Sequence, residues 1–138
     1  MDNEIRITFK STKTNISIIR NMVGALLIEY NPTITFINEV KTIISEGVTN
    51  SIIHGYSSDE NEYIDLDINI NSSMIIIDIT DRGCGIPDIE QAKEPLFSTK
   101  ADEERSGLGF TIMELFCDKL TVESIPGEGT NLHMEKKW

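Results

Sequence analysis

The apolar run Met74-Ile75-Ile76-Ile77-Asp78-Ile79 opens directly into Asp81-Arg82-Gly83-Cys84-Gly85-Ile86. A strand that ends this way presents a carboxylate at its tip. The alternate glycines that follow carry no Cβ, so bare backbone can approach a neighbour or a ligand closely. Asp and Gly also make ordinary turns, and for this motif alone a plain turn closed by an Asx bond stays open. Two further features bear on it. Glu46-x-x-x-Asn50 lies in a helical stretch upstream, and Ser106-Gly107-Leu108-Gly109-Phe110 lies downstream. Together the three outline a nucleotide site.

Hydrophobic periodicity orders the rest. Ile5, Ile7 and Phe9 alternate as in a half-buried strand. Between Lys13 and Tyr30, Ile16, Ile19, Val23, Leu26 and Leu27 fall at helical spacing. Asn31-Pro32 ends that helix, and Thr33 or Thr35 caps a second one running to about His54, with Gly55 as its stop. Tyr63 to Ile70 and Met74 to Thr80 read as strands joined through Asn71-Ser72-Ser73. Pro87 to Lys93 holds one or two helical turns, and Pro95 to Arg105 has neither period and reads as a loop. A helix follows from Gly107 to Asp118, then a hairpin of Leu120 to Ile125 and Thr130 to Glu135 around Pro126-Gly127-Glu128-Gly129. This order predicts an α+β fold: a two-layer sandwich with a mixed, mostly antiparallel sheet and helices on one face.

Composition narrows the function classes. The 138 residues form one domain, 1–138, and a hydrophobic content of 39% suffices for one core. Twelve basic residues against 23 acidic ones give a net charge of -11, which disfavours a nucleic-acid surface or an anionic membrane as partner. Any phosphate site must gather positive potential locally. No stretch reads as a secretory leader or a membrane span, and Cys84 and Cys117 lack metal-ligand spacing, which predicts free thiols in a cytoplasmic protein.

The chemistry sits on four elements. Glu46, Asn50 and His54 recur every four residues and so share one helical face, opposite Val40, Ile44 and Val48. A solvated polar face is the plain alternative. In the functional reading Asn50 offers an amide oxygen to Mg²⁺, and Glu46 orients or deprotonates an attacking hydroxyl. Asp81 suits the exocyclic amine of a base, with Gly83 and Gly85 leaving room around it. Ser106, Gly107, Leu108 and Gly109 precede a helix whose free N–H groups suit phosphates, although such pairs also occur in plain loops. The segment from Pro95 carries Lys100 and Arg105 and reads as a lid, with Arg105 placed to neutralise charge on a terminal phosphoryl group. Thr130 opens the last strand and can bring a hydroxyl near the base, although a turn Thr with no such role is the plain alternative.

In this order the motifs resemble the Bergerat nucleotide site of the GHKL superfamily. Ser45–Tyr56, Pro95–Lys100 and Arg105–Glu114 further resemble the anti-sigma factor serine kinases of endospore-forming bacteria, over nearly the whole chain. The sporulation branch, whose target is sigma-F, is the better match; the general-stress branch shares every motif. The resemblance implies a cytoplasmic homodimer that binds and inhibits a sporulation sigma factor. It also implies phosphorylation of a serine on an anti-sigma antagonist, with ATP and Mg²⁺. It makes Glu46 the catalytic base, Asn50 the Mg²⁺ ligand, Asp81 and Thr130 the adenine contacts, and Gly83, Gly85, Gly107 and Gly109 the backbone cradle. Arg105 becomes the lid residue on the γ-phosphate, and Arg20, expected exposed on the first helix, a partner contact. A nucleotide-dependent binding module without catalysis is the alternative from another class. The acid beside the metal ligand argues against it.

Overall fold

The computed structural model describes residues 2–94 and 109–138. In chain order these form β1 (Asn3–Lys10), α1 (Thr14–Ile28), α2 (Ile34–Asn50), a π-helical turn (Ser51–Gly55), β2 (Tyr63–Ile70), β3 (Met74–Asp81), α3 (Ile89–Ala92), α4 (Gly109–Phe116), β4 (Lys119–Ile125) and β5 (Gly129–Lys137). Thr33 caps α2, its hydroxyl accepting from the Phe36 N–H at 3.1 Å. The β2–β3 turn closes because the Asn71 side-chain oxygen accepts from the N–H groups of Ser73 (2.7 Å) and Met74 (2.9 Å). Asn71 thus stands in for backbone acceptors, as short Asx-type turns require.

The sheet has the order β1-β2-β3-β5-β4. All four ladders are antiparallel, which corrects the mixed sheet expected from the sequence. The physical reason is the place of β5. A helical crossover returns the chain parallel to β3 as β4, but the final hairpin inserts β5 between those two strands. No parallel neighbours result.

Strand parity then sets the layers. Ile64, Leu66, Ile68 and Ile70 on β2, Ile75, Ile77 and Ile79 on β3, and Leu132 and Met134 on β5 are all buried on one face. Val23 and Leu27 of α1, Val40, Ile44 and Val48 of α2, and Met113 of α4 complete this core. Each such aliphatic side chain contributes about 1.5–3 kcal/mol by leaving water. The opposite sheet face is polar. There Arg6 pairs with Asp67 (3.1 Å), Thr8 donates to Asp65 (2.6 Å), and the His133 ring lies between Asp78 (2.9 Å) and Glu135 (2.8 Å). The end of the chain is tied down, with Trp138 stacked on Phe36 at 4.8 Å and its indole N–H donating to the Asn71 carbonyl at 2.7 Å. No helix among the described residues is long and apolar enough to cross a membrane.

Candidate functional site

Asp81 continues the inward parity of Ile75, Ile77 and Ile79, so the last inward position of β3 carries a carboxylate where its predecessors carry isoleucine. Only 2% of it is exposed. Burial pushes its carboxyl above the ordinary value, while the N–H groups of Gly83 and Thr130 pull it part of the way back. The Gly83 bond measures 3.0 Å. Ser51 lies near the carboxyl and is itself 1% exposed, yet among the described residues its hydroxyl completes no hydrogen bond. A buried hydroxyl without a partner calls for a reason, and a polar guest beside the carboxylate would supply one.

Glycines close the backbone around this carboxylate. A Cβ on Gly55 would stand 2.8 Å from Asp81 Oδ2 and 2.9 Å from Oδ1. One on Gly83 would collide with the Gly55 carbonyl, and one on Gly129 with the Asp81 carbonyl. Gly129 also sits at φ +128°, which side chains rarely adopt. The π-helical turn explains how Gly55 arrives there. Widened turns of this kind leave carbonyls free for other partners and recur at functional sites. Here the Gly55 carbonyl accepts from the Cys84 N–H at 2.8 Å, and the His54 carbonyl from the Cys84 thiol at 3.1 Å. The turn therefore fastens the end of α2 to the glycine loop. The loop is also fastened to the β4–β5 turn, with the Gly127 N–H donating to the Cys84 carbonyl (2.7 Å) and the Ile86 N–H to Ser124 Oγ (2.7 Å).

Glu46 and Asn50 lie one turn apart on α2, both half-buried, and Asn50 adjoins Ser51. The α-helix ends at Asn50, so the expected Glu46-Asn50-His54 row passes into the wider π-helical turn before it reaches His54. Thr130 is buried directly across the ladder from Asp81. Gly85, at φ +76°, packs against the Ile125 carbonyl, and Gly109 is buried at the start of α4. Arg20 on α1 is half-buried rather than exposed. Lys100, Arg105, Ser106, Gly107 and Leu108 lie outside the described residues. Cys84 and Cys117 are free thiols, and burial pushes Cys117 up to about 12, which keeps it protonated and inert. Sequence reasoning missed Ser51, Gly55 and Ser124. Only Gly55 left a trace, and it read as a helix stop.

The histidine kinase-like ATPase domain matches residues 9–136. The anti-sigma F factor of Clostridium beijerinckii is 47% identical over 99% of this chain and 96% of its own length. That of Geobacillus stearothermophilus is 43% identical over 100% of this chain and 94% of its own. Among solved structures, the RsbU and RsbW domains of a Mycobacterium tuberculosis protein superpose at TM-score 0.71 with 18% identity, over 97% of this chain and 32% of that one. The histidine kinase domain of a blue-light activated kinase from Erythrobacter litoralis superposes at 0.59 with 15% identity, over 88% and 60%. These last two share the fold. The motif order, the buried carboxylate in its glycine collar and the full-length relatives lead to one assignment: the chain belongs to the anti-sigma F factor family and is built on a histidine kinase-like ATPase domain.

Proposed function

We propose that this protein is a cytoplasmic anti-sigma factor that binds and inhibits a sporulation sigma factor of the sigma-F type. In the same reading it phosphorylates a serine on its antagonist, using ATP and Mg²⁺. The observation that carries the nucleotide part is the surroundings of Asp81: a buried carboxylate, a buried hydroxyl with spare bonding capacity, and three glycines that let the backbone close tightly around them. Such a site fits a purine amine. Asp81 and Thr130 would hold the base, the loop of Gly83 and Gly85 would pass close to it, and Gly109 with Gly107 would face the phosphates. Asn50 offers an oxygen of the type Mg²⁺ accepts alongside phosphates and water. Bound Mg-ATP supplies the phosphoryl group to be transferred. Glu46, one turn from Asn50, would take the proton of the antagonist's serine hydroxyl. Lys100, Ser106, Leu108 and Arg105 would cover the phosphates, Arg105 acting on the terminal one. Arg20 would meet the protein partners, and the working form would be a homodimer.

The test is incubation with γ-labelled ATP, Mg²⁺ and candidate antagonists from the same genome. Label on a single serine supports the kinase reading. Nucleotide binding with no transfer to any candidate would leave a nucleotide-dependent sequestering module and refute the kinase.

A further inference from the structure

Asp81, Thr130 and Ser124 are direct cross-strand partners on β3, β5 and β4, so their side chains rise in one row on the same face of the sheet. Ser124 has one proton and two lone pairs to place. Its hydroxyl donates to the Gly129 carbonyl at 3.1 Å and accepts from the Ile86 N–H at 2.7 Å. One lone pair remains, and Thr130 Oγ1 lies 3.0 Å away. A carbonyl can only accept, so the one arrangement that makes all three contacts hydrogen bonds at once has Ser124 donating to Gly129 and Thr130 donating to Ser124. We assign the protons that way, with Thr130 the donor in the Ser124–Thr130 bond. That bond uses the only proton Thr130 has, and what its oxygen retains for the pocket is acceptor capacity.

We propose that Ser124 is the positioning residue that sets purine selectivity, by holding Thr130 as an acceptor beside the acceptor Asp81. The proposal rests on the nucleotide reading above and names its base preference. Two adjacent acceptors match the C6 amine of adenine, which carries two hydrogens. A C6 carbonyl, as in hypoxanthine or guanine, would face lone pairs only. A site that leaves a polar group unpaired against the wrong base discriminates far more strongly than one that misses a contact.

ITP is the probe, because it replaces the amine of ATP by a carbonyl and leaves the sugar and phosphates unchanged. Calorimetry with Mg²⁺ should show the parent preferring ATP over ITP by roughly 100-fold. In Ser124→Ala the Thr130 proton is released to turn towards the pocket, and the preference should fall by about tenfold, the worth of one hydrogen bond between two orientations. Ser124→Thr keeps the hydroxyl and should restore the preference. Thr130→Val tests the same idea without touching Ser124: it should lower the preference comparably, and adding Ser124→Ala to it should change the ratio no further. A ratio within twofold of the parent in either single variant overturns the proposal. So does an equal loss of both nucleotides in Ser124→Ala, which would make Ser124 a strut of the glycine loop and nothing more. A parent that binds both nucleotides alike refutes this inference alone, whereas a parent that binds neither refutes the nucleotide reading as well.

Discussion

One methyl group at Gly55 tests whether Asp81 is held where the site needs it. The added Cβ would lie 2.8 Å from Asp81 Oδ2 and 2.9 Å from both Cγ and Oδ1, against about 3.5 Å for a relaxed contact. Something must therefore yield by more than half an ångström. The carboxyl has little freedom to do so. It is 2% exposed, it accepts the Gly83 N–H at 3.0 Å, and Gly129 packs tightly against the Asp81 carbonyl. Overpacking of this kind costs about 1–3 kcal/mol. At about 3–5 °C per kcal/mol for a chain of this length, Gly55→Ala should melt roughly 3–15 °C below the parent. On the proposed nucleotide reading a displaced carboxylate also loses its bond to the base, and a hydrogen bond to a charged group contributes about 1.5–3 kcal/mol, so ATP should bind roughly 10- to 150-fold more weakly. Thermal unfolding and calorimetry with ATP read the two effects separately. Gly24→Ala is the control. Its Cβ would meet only the flexible Lys41 side chain at 3.1 Å, far along the chain from Asp81, and ATP affinity should not change. A Gly55→Ala protein that melts and binds ATP like the parent would refute the packing argument outright.

Three further expectations follow from other parts of the molecule. Glu46→Gln keeps shape but cannot take a proton, so ATP and sigma-factor binding should persist while phosphorylation of the antagonist falls by roughly 10²–10⁴-fold; transfer within a few-fold of the parent would remove Glu46 as the base. His133 is raised above its ordinary 6.5, chiefly by its hydrogen bond to Glu135 and also by Asp78, against a smaller opposing effect of burial. Folding thus favours the imidazolium, and its stabilisation is complete below about pH 6.5 and fades as pH rises through the folded-state value. Urea midpoints should accordingly drop between pH 6 and pH 8 in the parent and drop less in His133→Gln; parallel profiles would discount the pairing. Trp138→Ala removes the stack on Phe36 and the bond to the Asn71 carbonyl, and should cost about 1–3 kcal/mol in urea unfolding followed by circular dichroism. An unchanged midpoint would show the C-terminal clamp to be idle.

How far these features are legible in the sequence depends on the range over which they are determined. Tyr63 to Ile70 alternates polar and apolar residues because one face of β2 meets the core and the other meets water, and that pattern is local. The Thr33 cap is equally local, since its partner is only three residues away. The π-helical turn is not. Val48 and Ile52 keep helical spacing across it, and the reason for the widening lies thirty residues further on, in a glycine loop that must receive the carbonyls of His54 and Gly55. The same applies to Gly55, whose constraint comes from Asp81 and not from its neighbours in the chain.

The misjudged sheet and the missed serine have one cause. A helix between two strands can set them side by side in parallel, and β4 would then lie beside β3. Had it done so, Ser124 would face β3 directly and Thr130 would sit one strand away from Asp81. The inserted hairpin reverses this, placing β5 against β3 and β4 outside it. Thr130 then stands beside the carboxylate and Ser124 stands behind Thr130, where its hydroxyl meets Thr130, the Gly129 carbonyl and the Ile86 N–H. The strand order is thus what lines up Asp81, Thr130 and Ser124. A sequence reading could find the Asp and the Thr by their motifs, because those motifs are contiguous. It could not find the Ser, because nothing in the residues around Ser124 says which strand will come to lie next to it.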